Sequence, residues 1–211
     1  MGMTVAGVAV TGSLASVLTG CSTQTAVAPV VPAATAVDTS KAPAWPFKYE
    51  KIDVAAVQER AYQGYKEKGG WGSGVAEGFF GLLSEQVGYP FNQYPAEMFS
   101  NYGAGFTQAS LCGSIGCAAA CIGTVCDADT AKKVLGELQA WYKEAELPIY
   151  QPEKLNLPTT VASSILCADS VGNFMEKSGF AMGDPERKAR CAGVAADVTG
   201  KMVELLNASF A

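Results

Sequence analysis

The residues with the clearest chemistry are cysteines. The run SLCGSIGCAAACIGTVC, residues 110 to 126, places Cys112, Cys117, Cys121 and Cys126 within fifteen positions with almost nothing polar between them, and Cys21, Cys167 and Cys191 complete the seven. Thiolates at such density serve as ligands to iron–sulfur clusters or zinc, as disulfides, or as redox nucleophiles. The chain contains no histidine. A Ser-His-Asp triad, a Cys-His pair and any histidine-ligated metal are therefore excluded. The Cys-x-x-Cys-His attachment motif of c-type haem is missing too, so the expectation from sequence is that the chain carries no haem.

Disulfides fit the pattern poorly. On a regular helix the Cβ atoms of residues i and i+4 lie about 5–6 Å apart, whereas a disulfide needs about 3.5–4.5 Å. Cys117 and Cys121 then share a face, about 40° apart, while Cys112 and Cys126 lie toward the other side and about 21 Å from each other along the axis. Only Cys167 and Cys191 remain as partners from elsewhere. Burial as small hydrophobes explains one or two cysteines readily, but not six in one domain of this size. A thiolate-ligated metal centre accounts for more of them, although spacing alone does not say which four sulfurs converge.

The elements that must position these thiols read as helices. Asp53 can cap one that runs to about Lys68, and a second spans about Ser73 to Val87. A third covers most of 108 to 125, a fourth starts near Asp129, a fifth runs from Pro158 to about Lys177, and a sixth opens on Asp184 and Pro185. In the sixth, Cys191, Val194, Ala195, Val198, Met202, Leu205 and Leu206 form a core-facing stripe, and Cys167 shares a face with Val171 and Phe174 on the fifth. No segment shows strand alternation. An all-α domain of about six helices over residues 47–211 follows, within a chain of 211 residues that is 49% hydrophobic and 17% charged. The net charge of -5 offers no footprint for nucleic acid.

The N-terminal part has a different character. Residues 1–20 are uncharged and end in Leu18-Thr19-Gly20 before Cys21, the pattern of a bacterial lipoprotein signal with Cys21 as the lipidated residue. The cationic start of such a signal is missing, since no Lys or Arg precedes Lys41, so the run is expected to continue a twin-arginine leader. Residues 21–46 are rich in Ala, Thr, Val and Pro, which forbids a continuous helix and suits a tether. The expectation is an exported protein anchored to a bacterial membrane through Cys21.

The segments 89–123, 157–179 and 184–207 resemble the C_GCAxxG_C_C proteins, especially their split-Soret cytochrome branch. The most specific matches are Cys-Gly-Ser at 112 to 114, Cys-Ala-Asp-Ser-Val at 167 to 171, and the helix carrying Cys191. The resemblance implies a helical redox protein in which Cys112, Cys167 and Cys191 are cluster ligands or redox thiols. A fourth family cysteine is expected before the Gly-Val of the second helix, where this chain reads Trp71-Gly72-Ser73-Gly74-Val75. Cys117, which matches the Gly-Cys-Ala of the family name, or Cys121 is then expected to replace it.

The leading expectation is thus a membrane-tethered electron-transfer protein with an iron–sulfur centre, of the 2Fe–2S type, whose redox partner is unspecified and for which a homodimer is a compatible assembly. Zinc is the alternative metal. The alternative function is a lipoprotein scaffold held by disulfides or structural zinc. An enzyme with a low-pKa cysteine comes third, because the cations nearest in sequence to the 112–126 cluster are only Lys132 and Lys133.

Overall fold

The structure, a computed structural model, describes residues 42–211. The expected signal and lipidation site at Cys21 lie outside the described residues. Six α-helices make up the described part: α1 (Val54–Glu67), α2 (Trp71–Gln86), α3 (Gly113–Val125), α4 (Ala128–Glu144), α5 (Cys167–Ser178) and α6 (Pro185–Ser209). The fold is all-α, with one minimal sheet in which β1 (Glu146–Leu147) pairs antiparallel with β2 (Thr160–Val161). None of the described helices is long and apolar enough to cross a membrane.

Local chemistry sets most helix starts. The Asp53 carboxylate accepts the Ala56 N–H at 2.8 Å and caps α1, and Asp127 caps α4 through the Thr130 N–H at 2.8 Å. Pro185 occupies the first position of α6 as its fixed φ favours. Helices α1 and α2 pack backbone to backbone, because a Cβ at Gly74 would stand 2.7 Å from the Ala61 carbonyl oxygen. Helix α6 is central, touching α1, α2, α3 and α4. It is buried on nearly every side between Arg187 and Leu206, so it reads as a core helix rather than an amphipathic one. The chain is docked before residue 47: Trp45 donates its indole N–H to the Gly123 carbonyl at 2.7 Å.

Two expected helix boundaries move, and both moves matter to the thiols. The third helix starts at Gly113 rather than near 108, because Gly105, Phe106, Thr107 and Ala109 all have positive φ and form a tight turn. The fifth starts at Cys167 rather than Pro158. Its expected first turns contain Thr159, Thr160 and Val161, whose β-branched side chains favour the extended pairing with β1, and Ser163 then turns the chain at φ 58°. Cys112 and Cys167 consequently stand at helix starts instead of inside helices.

Asp197 on α6 ties the helix to the loop after β1, accepting the Ile149 N–H at 2.7 Å and the Tyr150 N–H at 2.9 Å. Burial raises its carboxyl from 3.8 to about 6, against the lowering effect of those two bonds and of Arg190. A raised folded pKa means that the fold holds this proton more tightly than the unfolded chain does. The contribution is complete below about pH 3.8 and is lost as pH rises through about 6. Relative to Asp197→Asn, which cannot titrate, the wild-type protein should lose about 2–3 kcal/mol of unfolding free energy between pH 4 and pH 7. Denaturant titrations of both proteins across that range measure the difference, and a flat difference would refute it.

Candidate redox site

Three of the expected cysteines meet at one cavity. Leu111 and Leu166 form an isolated antiparallel bridge. On either side of it Cys112 donates its N–H to the Ile165 carbonyl at 2.8 Å, and Cys167 donates to the Ser110 carbonyl at 2.6 Å. Each strand end then turns into a helix, Cys112 as the N-cap of α3 and Cys167 as the first residue of α5. Two helix N-termini therefore start at neighbouring thiols. Cys191, in the second turn of α6, lines the same cavity, together with Trp71, Ser170 and Arg190. The cavity is small, about 10 Å³, the room of roughly one water-sized sphere.

The thiols feel one another. Burial pushes the Cys167 thiol up to about 11, Cys112 and Cys191 add to the rise, and Arg190 and Arg187 oppose it. Those arginines are the unusual part of the site. Arg190 is 1% exposed and Arg187 5%. Among the described residues neither takes part in an ion pair. Arg190 donates one Nη2 bond to the Ser170 hydroxyl at 2.9 Å, which also accepts from the Tyr142 hydroxyl at 2.8 Å. It lies 5.5 Å from the centre of the Phe174 ring, and its Nε has no partner. Arg187 donates to the Met182 carbonyl at 2.7 Å and faces the Cys191 sulfur at 3.7 Å. Two buried cations without carboxylates, beside three thiols, call for negative charge in the cavity.

The remaining cysteines lie elsewhere. Cys117 and Cys121 are fully buried on α3, and burial together with the hydrogen bond the Cys121 thiol donates to Cys117 pushes Cys121 well above its ordinary value. Neither lines the cavity that holds Cys112, Cys167 and Cys191. Cys126 ends α3 beside Asp127, its thiol raised to about 11 mainly by burial. All six described cysteines are free of disulfides, and among the described residues no group of three potential ligands stands in a ready-made cage for a single ion. Lys132 and Lys133 are exposed on α4. The cations that face the thiols are instead Arg187 and Arg190, and the sequence carried their signal: they stand one turn and one residue before Cys191, inside the buried stripe of α6.

The family whose description reads "Putative redox-active protein (C_GCAxxG_C_C)" matches residues 75–205, which include all six of these cysteines. The chain belongs to this family. It is also similar to the split-Soret cytochrome c of Desulfovibrio desulfuricans, at 31% identity over 172 residues, covering 78% of this chain and 62% of the relative. The solved structure described as "A novel iron centre in the split-Soret cytochrome c from Desulfovibrio desulfuricans ATCC 27774" superposes with a TM-score of 0.75 at 30% identity, over 78% of this chain and 72% of that one.

The cytochrome likeness overturns the expectation of no haem. A count of histidines tests only one kind of haem ligand, whereas Cys, Met and Tyr also hold haem iron, and this chain has all three. The chain also spans only 62% of the cytochrome relative's length. The assignment of one cluster type, or of zinc, from the cysteine count falls with it, since the solved relative's own iron centre is described as novel. Iron nevertheless fits the donors present: thiolates are among its ligands, and the orphaned Arg190 Nε suits an anionic thiolate-held centre.

Proposed function

We propose that this protein is a membrane-tethered electron carrier in which Cys112, Cys167 and Cys191 hold an iron centre through their sulfurs. The observation that carries the reading is the convergence of these three thiols on a cavity shared with Arg190, with Arg187 against Cys191. Family membership and the iron centre named for the relative point the same way. When bound, iron supplies one-electron chemistry. The chain's part is to exclude water through the surrounding core, to offset thiolate charge with two guanidiniums, and to fix two of the thiols with the backbone clip at 110–112 and 165–167. The tether is the lipid on Cys21.

The test is anaerobic purification of the full chain, with iron analysis and visible absorption. Cys112→Ser, Cys167→Ser and Cys191→Ser should each lose most of the iron and the absorption, because metal binding and folding are coupled, while Cys126→Ser keeps both. Palmitate labelling of cells should mark the wild-type protein and not Cys21→Ser. An iron-free wild-type protein, or iron retained in all three cavity variants, would overturn the centre. Label persisting in Cys21→Ser would overturn the anchor.

A further inference from the structure

Beside the thiol cavity lies a second, larger opening. A groove of about 540 Å³ runs between α1, the start of α2 and α6, within the size range of small-molecule sites. Its walls are mostly aromatic and small: Tyr62, Tyr65 and Trp71 face Ala189 and Ala192 of α6. Tyr65 and Trp71 hold each other edge to face, ring centres 5.5 Å apart. Trp71 belongs to both openings, lining the groove and the thiol cavity. A ring lying on Trp71 in the groove would thus touch a side chain that also lines the thiol cavity.

The charges around the groove are unequal. Lys66 is ion-paired with Glu153, so these two cancel. Lys188 at the rim has no carboxylate partner among the described residues. Helix α2 begins in the groove at Gly70 and Trp71 with no side-chain cap, leaving its positive end open. Flat aromatic walls select a flat ligand, and the surplus of positive charge selects an anionic edge.

We propose that this groove binds a planar conjugated redox carrier with an anionic edge, of the quinone-sulfonate or flavin-phosphate kind, with its ring on Trp71 and its anion toward Lys188 and the start of α2. The proposal rests on the reading of the thiol cavity as a redox centre and names the class of partner that reaches it.

The experiment titrates the full-length protein separately with anthraquinone-2,6-disulfonate and with flavin mononucleotide, following tryptophan fluorescence and heat, and measures iron on the same samples. Ala189→Phe fills the groove and Lys188→Glu reverses its rim charge, and neither residue touches the thiol cavity. At least one probe should bind the wild-type protein, and each variant should weaken it tenfold or more with iron content and melting temperature unchanged. Binding of neither probe at millimolar concentration, or equal affinity in wild type and both variants, would overturn the groove. Iron without probe binding sinks this inference and leaves the redox centre standing. Variant-sensitive probe binding to an iron-free protein does the reverse.

Discussion

Arg190→Met should give a protein that melts higher than wild type when free of iron and that fails to keep iron when it is supplied. The two effects have opposite sign because one charge has two roles. In the iron-free protein Arg190 is a fully buried cation held by one hydrogen bond from Nη2 to Ser170 and by the face of Phe174, with Nε unpartnered. The Ser170 bond is worth about 1 kcal/mol, somewhat more for a charged donor, and the ring contact about 2 kcal/mol at most. Neither repays the several kcal/mol needed to bury the ion. Asp197, two turns along the same helix, attracts the guanidinium without forming an ion pair with it, and spends its oxygens on the Ile149 and Tyr150 N–H groups. Methionine fills the same space, and its sulfur packs well against Phe174. The Ser170 oxygen keeps its bond from Tyr142.

Replacing a buried unpaired charge by an apolar side chain should therefore stabilise the iron-free protein by about 1–4 kcal/mol, a rise of several degrees in melting temperature. Three thiolates around iron reverse the balance, because their negative charge is what the guanidinium compensates. Most bound iron should be lost from Arg190→Met and largely kept in Arg190→Lys, which preserves the charge. Calorimetry on iron-free samples and iron analysis on anaerobic ones check the two halves. An Arg190→Met protein that melts several degrees lower and retains its iron would show that the guanidinium is a structural peg.

The helices were legible where local chemistry decides them. Asp53 starts α1, Pro185 follows Asp184 at the start of α6, and the Cys191 stripe on α6 faces the core as its spacing indicates. The convergence of Cys112 with Cys167 could not be read in the same way, because the segments joined by the Leu111 and Leu166 bridge are 55 positions apart and too short for alternation. Pro158 looked like a helix start because proline favours that position, but the next three residues are β-branched and had an extended partner available at Glu146–Leu147. The buried arginines are hard to read from sequence for a different reason. Charged residues in the first turns of a helix are ordinarily exposed, and the one cue that Arg187 and Arg190 are not is their spacing from Cys191 on the buried face of α6.

The start of α3 also fixes the site sterically, so Gly113→Ala should be among the most damaging single methyl additions in the chain. A Cβ at Gly113 would stand 2.0 Å from the Tyr102 carbonyl oxygen and 3.2 Å from the Trp71 Cβ. The first neighbour is backbone, anchored in the 3₁₀ segment Ala96–Tyr102 and unable to swing away as a side-chain tip would. Either α3 must retreat from that segment or the segment must break. Gly113 follows Cys112 directly, so a retreat carries the thiol away from Cys167 and opens the clip made by the Cys112 N–H on the Ile165 carbonyl. Overpacking of this kind costs about 3 kcal/mol or more, and iron binding should fall with it. Gly136→Ala is the matched control: it lies inside α4 with nothing within 4 Å of the added carbon. There the higher helix propensity of alanine should stabilise the protein by about 0.5–1 kcal/mol. Denaturant unfolding of the two variants should thus move in opposite directions from wild type, with iron content falling only in Gly113→Ala. A Gly113→Ala protein as stable and as iron-rich as wild type would show that the junction of α3 with Tyr102 is looser than these distances allow.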